Sequence, residues 1–111
     1  MNPKVIKRLE DAIEACERVQ GFLKAVPIDT FLGSDLLRSA VERQLEIIGE
    51  ALNAASKEDE SLVEIIPDLP RIVALRNRLI HGYDSVDPEI IWDVVKHNTP
   101  MLLRQLKRGL G

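Results

Sequence analysis

The chain has 111 residues, 45% of them hydrophobic and 30% charged, with a formal net charge of −3. That length suits one compact domain, and the apolar share excludes global disorder. The acidic balance excludes a protein that coats nucleic acid or membrane by bulk charge, so any nucleic-acid contact must come from a local cluster. No apolar run is long enough to cross a bilayer, and the N-terminus lacks a signal-peptide pattern. The single cysteine, Cys16, cannot close an internal disulfide, so a reducing cytoplasm is the expected setting.

Aromatic residues are only 4%, and Leu, Ile, Ala, Glu, Lys and Arg dominate, which favours helices. Asn2 before Pro3 predicts a capped helix start, and Val5, Leu9, Ala12, Ile13, Cys16, Val19 and Leu23 recur at helical spacing, so the first helix is expected from Pro3 to about Val26, with Pro27 stopping it. Pro27 to Gly33 reads as a connection. Ser34 or Asp35 then caps a second helix whose stripe, Leu37, Val41, Leu45, Ile48, Leu52 and Ala55, is widened by Leu36, Ala40, Ile47 and Ala51. So broad an apolar arc predicts burial on three sides, a second subunit included.

Lys57 to Ser61 is polar and acidic and reads as a loop, and Leu62 to Ile66 as a short helical turn. A third helix is predicted from about Pro70 to Ile80, with Ile72, Leu75 and Leu79 facing inward and Gly82 as its C-cap. Asp87-Pro88-Glu89 opens a fourth helix, carried on by Ile91, Val94, Val95, Met101, Leu102 and Leu106 and expected to kink at Pro100. No period-two pattern survives the flanking prolines and charges. The fold expected is all-α, an antiparallel bundle of four or five helices over residues 1–111.

The chemistry concentrates in Arg71 to Tyr83, RIVALRNRLIHGY, where three arginines and a histidine stand without an acid among them. On an ideal helix Arg76 and His81 lie about 140° apart around the axis. Asn77 and His81 are the neighbours that stack, one turn apart. Arg76 and His81 can converge on one ligand if the helix ends at His81, or across a two-fold axis that brings two copies of the patch together.

Arg76, four residues, His81, one residue, Tyr83 resembles the signature of the HepT-like ribonuclease toxins, within the HEPN superfamily. The segment Ala40 to Leu52, AVERQLEIIGEAL, resembles a second stretch of that family, with Arg43, Gly49 and Glu50 in matching places, and the Asp87-Pro88 helix start and Trp92 fit it too. One departure is Arg71, where many relatives carry an aromatic just after the proline. The resemblance implies a HEPN-like homodimer acting as a metal-independent endoribonuclease, the toxin of a type VII toxin–antitoxin pair. It also implies a small nucleotidyltransferase antitoxin able to attach AMP to the motif tyrosine, here Tyr83.

Such chemistry needs no metal or cofactor, because RNA carries its own nucleophile, the 2′-hydroxyl. His81 is the expected general acid or base, Arg76 the clamp on the phosphorane charge, and Asn77 a group that orients His81 or binds a phosphate oxygen. Each assignment has a plainer competitor. His81 could cap free carbonyls at a helix end, Arg76 could be a salt bridge to Glu50, and Tyr83 could be an aromatic at the edge of the core. Arg43 and Glu50 are expected at the cleft border or in ion pairs between helices. Gly49 is expected to permit close helix packing. Cys16 reads as an inert core thiol and His97 as structural or surface, and the two histidines and one cysteine are too scattered for a metal site. With no glycine-rich phosphate loop, the chain is not expected to bind ATP by itself. Arg104, Lys107 and Arg108 read as a solvated helix end or the extension of an RNA track. Two alternatives remain at this point: a non-catalytic helical subunit that partners a nucleotidyltransferase, and a purely structural dimeric scaffold.

Overall fold

The computed structural model describes residues 1–82 and 86–111. Seven α-helices and one π-helical turn make up the described chain, and no strand occurs among the described residues. The first helix, α1 (Pro3–Phe22), starts where Asn2 accepts a hydrogen bond from the Lys4 amide at 2.8 Å, ahead of Pro3. It ends four residues before the expected Val26. Leu23 is fully buried at its C-cap, and the chain then turns through Ala25, whose φ of 58° is left-handed. The apolar spacing continues through Leu23, which is why periodicity alone overran the end.

The expected connection contains a short helix, α2 (Ile28–Leu32), anchored by the fully buried Phe31. Ser34, not Asp35, caps α3 (Asp35–Glu58), its hydroxyl accepting from the Leu37 amide at 3.1 Å. α3 continues through Lys57 and Glu58, residues that read as loop in the sequence. The short α4 (Leu62–Ile65) leads to α5 (Leu69–His81), which closes at Gly82 in the left-handed conformation (φ 64°), as predicted for a C-cap glycine. Asp87 caps α6 (Pro88–Asp93) by accepting from the Glu89 amide at 2.9 Å.

Pro100 does disturb the last helix, in the form of a π-helical turn over Val94–Asn98 that precedes α7 (Thr99–Leu110). Pro100 has no donor for the carbonyl one turn back. The wider turn gives its ring room, and Thr99 turns both its amide and its hydroxyl (3.2 Å) onto the Val94 carbonyl.

The core lies between α1, α3 and the arm formed by α6, the π turn and α7. Val5, Leu9, Ala12, Cys16 and Val19 meet Val41, Ile48, Leu52 and Ala55, and Ile91, Val95 and Leu106 close the third side. Lys96 clasps the arm to the end of α1, donating to the Leu23 carbonyl at 3.0 Å while lying 4.8 Å from the centre of the Trp92 ring, which itself packs on Phe31 at 5.5 Å. At the other end Gly109 comes up to Leu9, so the arm runs antiparallel to α1. The chain is thus an all-α bundle of four principal rods, α1, α3, α5 and the arm, with α2 and α4 as short connectors.

Two expected inward positions sit elsewhere. Met101 is 47% exposed, on the outer side of α7, and Leu36 is 80% exposed, on the outer face of α3. Ile72, Leu75 and Leu79 of α5 are only half-buried, because α5 packs chiefly on α3 and leaves an apolar groove of about 380 Å³ between itself and the arm. Leu45 and Ile48 of α3 line that groove. No helix is long and apolar enough to cross a membrane.

Candidate active site

α5 positions three of the residues singled out in the sequence. A 13-residue helix is marginal by itself, and Leu69 is the one residue this helix buries, so it is formed largely by leaning on α3. The contact is unusually close at Gly49. A Cβ there would lie 2.2 Å from the Cβ of Arg76 and 2.7 Å from its Cγ, with the Ile72 carbonyl at 3.4 Å. Glycine inside a helix costs about 1 kcal/mol relative to alanine. Here no other residue lets the two helices approach so closely, which is the packing role the sequence suggested.

Arg76 therefore starts against the backbone of α3 and runs outward. Its Nε is buried and, among the described residues, has no hydrogen-bond partner. Its Nη1 donates to Asn77 Oδ1 at 2.9 Å, and its Nη2 lies 4.0 Å from Glu50 Oε1. The same Glu50 oxygen is 3.7 Å from Arg43 Nη1, which also bonds Glu46 at 3.1 Å. A ribbon of alternating charge, Glu46, Arg43, Glu50, Arg76, thus borders Asn77. Arg76 is 28% exposed at its side chain and Glu50 39%, so each pair contributes at most about 1 kcal/mol to stability. Their chemical value is different: a guanidinium buried at its neck presents its terminal nitrogens at the surface, beside a carboxylate that an incoming phosphate can displace.

Asn77 and His81 are exposed and stand one turn apart; Asn77 adjoins Arg76, while His81 lies about 140° from Arg76 around the axis, at the end of the helix. His81 is the last residue of α5, before the left-handed turn at Gly82. Among the described residues its ring makes no hydrogen bond. Tyr83 lies outside the described residues. Arg43, Glu50, Arg76 and Asn77 are brought into one cluster, with His81 on the same surface helix.

Two expectations are corrected. The three arginines of α5 do not form one positive patch: Arg71 and Arg78 line the groove on the other flank, and Arg71 is paired with Asp68 at 3.7 Å. The helical wheel carries that signal, since Arg71 and Arg78 both fall about 140–160° from Arg76. Among the described residues the ion pairs of Arg43 run along α3, while the pair between helices is the one Glu50 makes with Arg76. Sequence reading also passed over Gln44, which is buried at 9% exposure with its Oε1 unpartnered among the described residues. Its place between Val41 and Ile48 on the α3 stripe was the available sign.

Other titratable groups sit apart from this cluster. Burial pushes the Cys16 thiol up to about 12, with Glu17 adding to the shift, so the thiol is inert as expected. His97 lies exposed in the π turn. Among the described residues no three His, Cys, Asp or Glu side chains come together as a metal-binding group.

Comparison with known proteins gives a consistent result. The chain is 34% identical over 101 residues to a protein of Methanocaldococcus jannaschii named “Putative RNase MJ1380”, covering 89% of this chain and 90% of that one. It is 35% identical over 96 residues to “Probable ribonuclease HepT” of Thermococcus cleftensis, covering 85% and 84%. It is 33% identical over 102 residues to “Putative RNase TTE0752” of Caldanaerobacter subterraneus, covering 92% and 90%. Residues 12–109 match the family described as Ribonuclease HepT-like, and the chain belongs to that family.

Proposed function

We propose that the chain is a metal-independent endoribonuclease, the toxin of a type VII toxin–antitoxin pair, with Arg76 and His81 as its catalytic residues. The observation that carries this reading is the placement of Arg76. Its stem is sunk against Gly49 and its terminal nitrogens emerge beside Asn77, on the helix that ends at the exposed His81. Family membership supports the ribonuclease class.

In this reading an imidazole removes the proton of the RNA 2′-hydroxyl. The 2′-oxygen attacks the adjacent phosphorus, the bond from phosphorus to the 5′-oxygen breaks, and a second proton donor completes the leaving hydroxyl. The products are a 2′,3′-cyclic phosphate and a 5′-hydroxyl. Arg76 stabilises the phosphorane charge, while Asn77 orients His81 or binds a phosphate oxygen. Arg43 and Glu50 border the cleft.

The second proton-transfer group comes from His81 of a second copy, in a homodimer whose shared cleft joins two such helices. The exposed Leu36 on α3 and the half-buried apolar residues of α5 supply surface for that association. Tyr83 follows His81 by two residues, so AMP attached there by a nucleotidyltransferase antitoxin would bring negative charge into competition with RNA phosphate for Arg76.

The deciding experiment is RNA cleavage in EDTA by the wild type and by His81→Ala. The wild type is expected to leave 2′,3′-cyclic phosphate ends and the folded variant to leave RNA intact; full activity in the variant ends the assignment. Mass spectrometry after incubation with ATP and the antitoxin is expected to show one AMP on Tyr83, and its absence removes the modification from the reading.

A further inference from the structure

We propose that Gly49 and Glu50 are positioning residues for Arg76: the glycine seats the stem of the side chain and the glutamate aims its head. The inference rests on the catalytic reading of Arg76 and extends it to two residues of α3 that need not touch RNA. Its basis is geometric. Gly49 is buried in the interior of the 24-residue α3, where alanine would form the better helix, yet a Cβ would collide with both Cβ and Cγ of Arg76. The space a side chain would occupy is therefore filled by the first carbons of Arg76.

Three points along one side chain are thereby fixed. The stem lies against α3, the Nε is enclosed without a hydrogen-bond partner among the described residues, and Nη1 bonds Asn77 at 2.9 Å. Glu50 stands next to the glycine in sequence, so the same turn of α3 that admits the stem places a carboxylate 4.0 Å from Nη2. Surface pairing alone would not require this seat, because a long arginine can reach a carboxylate from an ordinary helix contact. A guanidinium that must meet a phosphorane in one orientation does benefit from it, since misplacement by about 1 Å can cost roughly 100-fold in rate. Glu50 also lies 3.7 Å from Arg43 Nη1, so when phosphate takes Nη2 the carboxylate keeps a cationic partner.

The test uses the full chain, a fluorophore–quencher single-stranded RNA of random sequence, and ¹⁵N relaxation of the arginine Nε–H groups. Arg76→Ala is expected to lose about 100-fold or more in kcat/KM. Gly49→Ala and Glu50→Gln are each expected to lower kcat by about 10-fold with KM changed less than about twofold, or lowered for Glu50→Gln as two cations lose their shared counter-ion. Both should keep the shape of the pH–rate profile. Adding Gly49→Ala to Arg76→Gly, which removes both carbons that the new methyl would meet, should cost no further activity. The Arg76 Nε–H should be as rigid as the backbone in the wild type and mobile in Glu50→Gln, a surface change that leaves the packing of α3 alone should Gly49→Ala fail to fold.

Full kcat in folded Gly49→Ala, or an equal loss in the Arg76→Gly background, overturns the seat. A lost acidic limb in Glu50→Gln makes Glu50 a proton carrier and overturns the aiming role. An Arg76→Ala variant as active as wild type, or a wild type that leaves RNA intact, instead removes the catalytic reading on which the inference stands; relaxation then decides alone whether the two residues hold the guanidinium.

Discussion

α1 and α3 on one side, and α5 on the other, have similar apolar spacing and very different burial. The first pair contributes Val5, Leu9, Cys16, Val19, Val41, Ile48 and Leu52, all at 2% exposure or less, whereas α5 buries only Leu69, at 6%. The candidate site therefore sits on the least enclosed rod of the bundle, held to a rigid one. Stability comes from the α1–α3 pair and chemistry is displayed on α5, and the close approach at Gly49 is where the two meet.

That contrast can be broken by core truncation. Leu52→Ala should cost about 2–5 kcal/mol of unfolding free energy, and Leu75→Ala on α5 about 1–2 kcal/mol. Urea unfolding of both variants measures the difference, and equal losses would show α5 to be as integral to the core as α3. Thiol labelling sharpens the same point. Cys16, buried and with its thiol pushed up to about 12, should resist an aromatic disulfide reagent at mildly alkaline pH until the chain unfolds, while a cysteine introduced as Ala74→Cys on the exposed side of α5 should react at once. Rapid labelling of native Cys16 would mean that the α1–α3 pair opens readily.

Smaller effects test the edges of the rigid pair. Ala25 holds a left-handed backbone after α1, so Ala25→Gly should stabilise the fold by about 0.5–1 kcal/mol, the relief of strain exceeding the added freedom of the unfolded chain. The smallest change is expected at Glu42, whose carboxyl is raised above the ordinary carboxylate range by burial first and the nearby Glu46 second. A raised folded value means that its favourable contribution is present below the unfolded pKa and is lost as pH rises through the folded one. Glu42→Gln should accordingly melt slightly higher at neutral pH and gain less than wild type when acidified toward the carboxylate range. A lower neutral melting point would show that Arg38, which pulls Glu42 the other way, outweighs burial.

Much of this architecture can be read from the chain because caps and stripes state it locally. Asn2-Pro3, Ser34 and Asp87-Pro88 mark helix starts, and Gly82 an end, each through a hydrogen bond or backbone angle that the residue itself supplies. What escapes local reading is set by distant partners. Leu23 is apolar at the right spacing yet belongs to a turn, and α2 is too short for any periodicity, its existence resting on Phe31 against Trp92. In the candidate site, the residue types and the clustering of Arg76 with Asn77 are legible. The division of the arginines between two flanks is already in the helical wheel, but which flank meets α3 and which lines the groove is set by how α5 is rolled, and that roll is fixed by Gly49.

The π turn has a consequence for how the C-terminal arm tolerates change. An ordinary helix advances about 100° per residue, so excising one residue from α7 would swing everything beyond it around the axis and carry Leu102 or Leu106 from the interior toward water. The stretch Val94–Asn98 already holds one residue more per turn than its neighbours need. A one-residue deletion there can keep the azimuth of the distal half nearly intact by tightening to the common helical pitch, at the cost of the room the wider turn gives the Pro100 ring. The molecule thus carries a built-in allowance for shortening at a single place along its final rod.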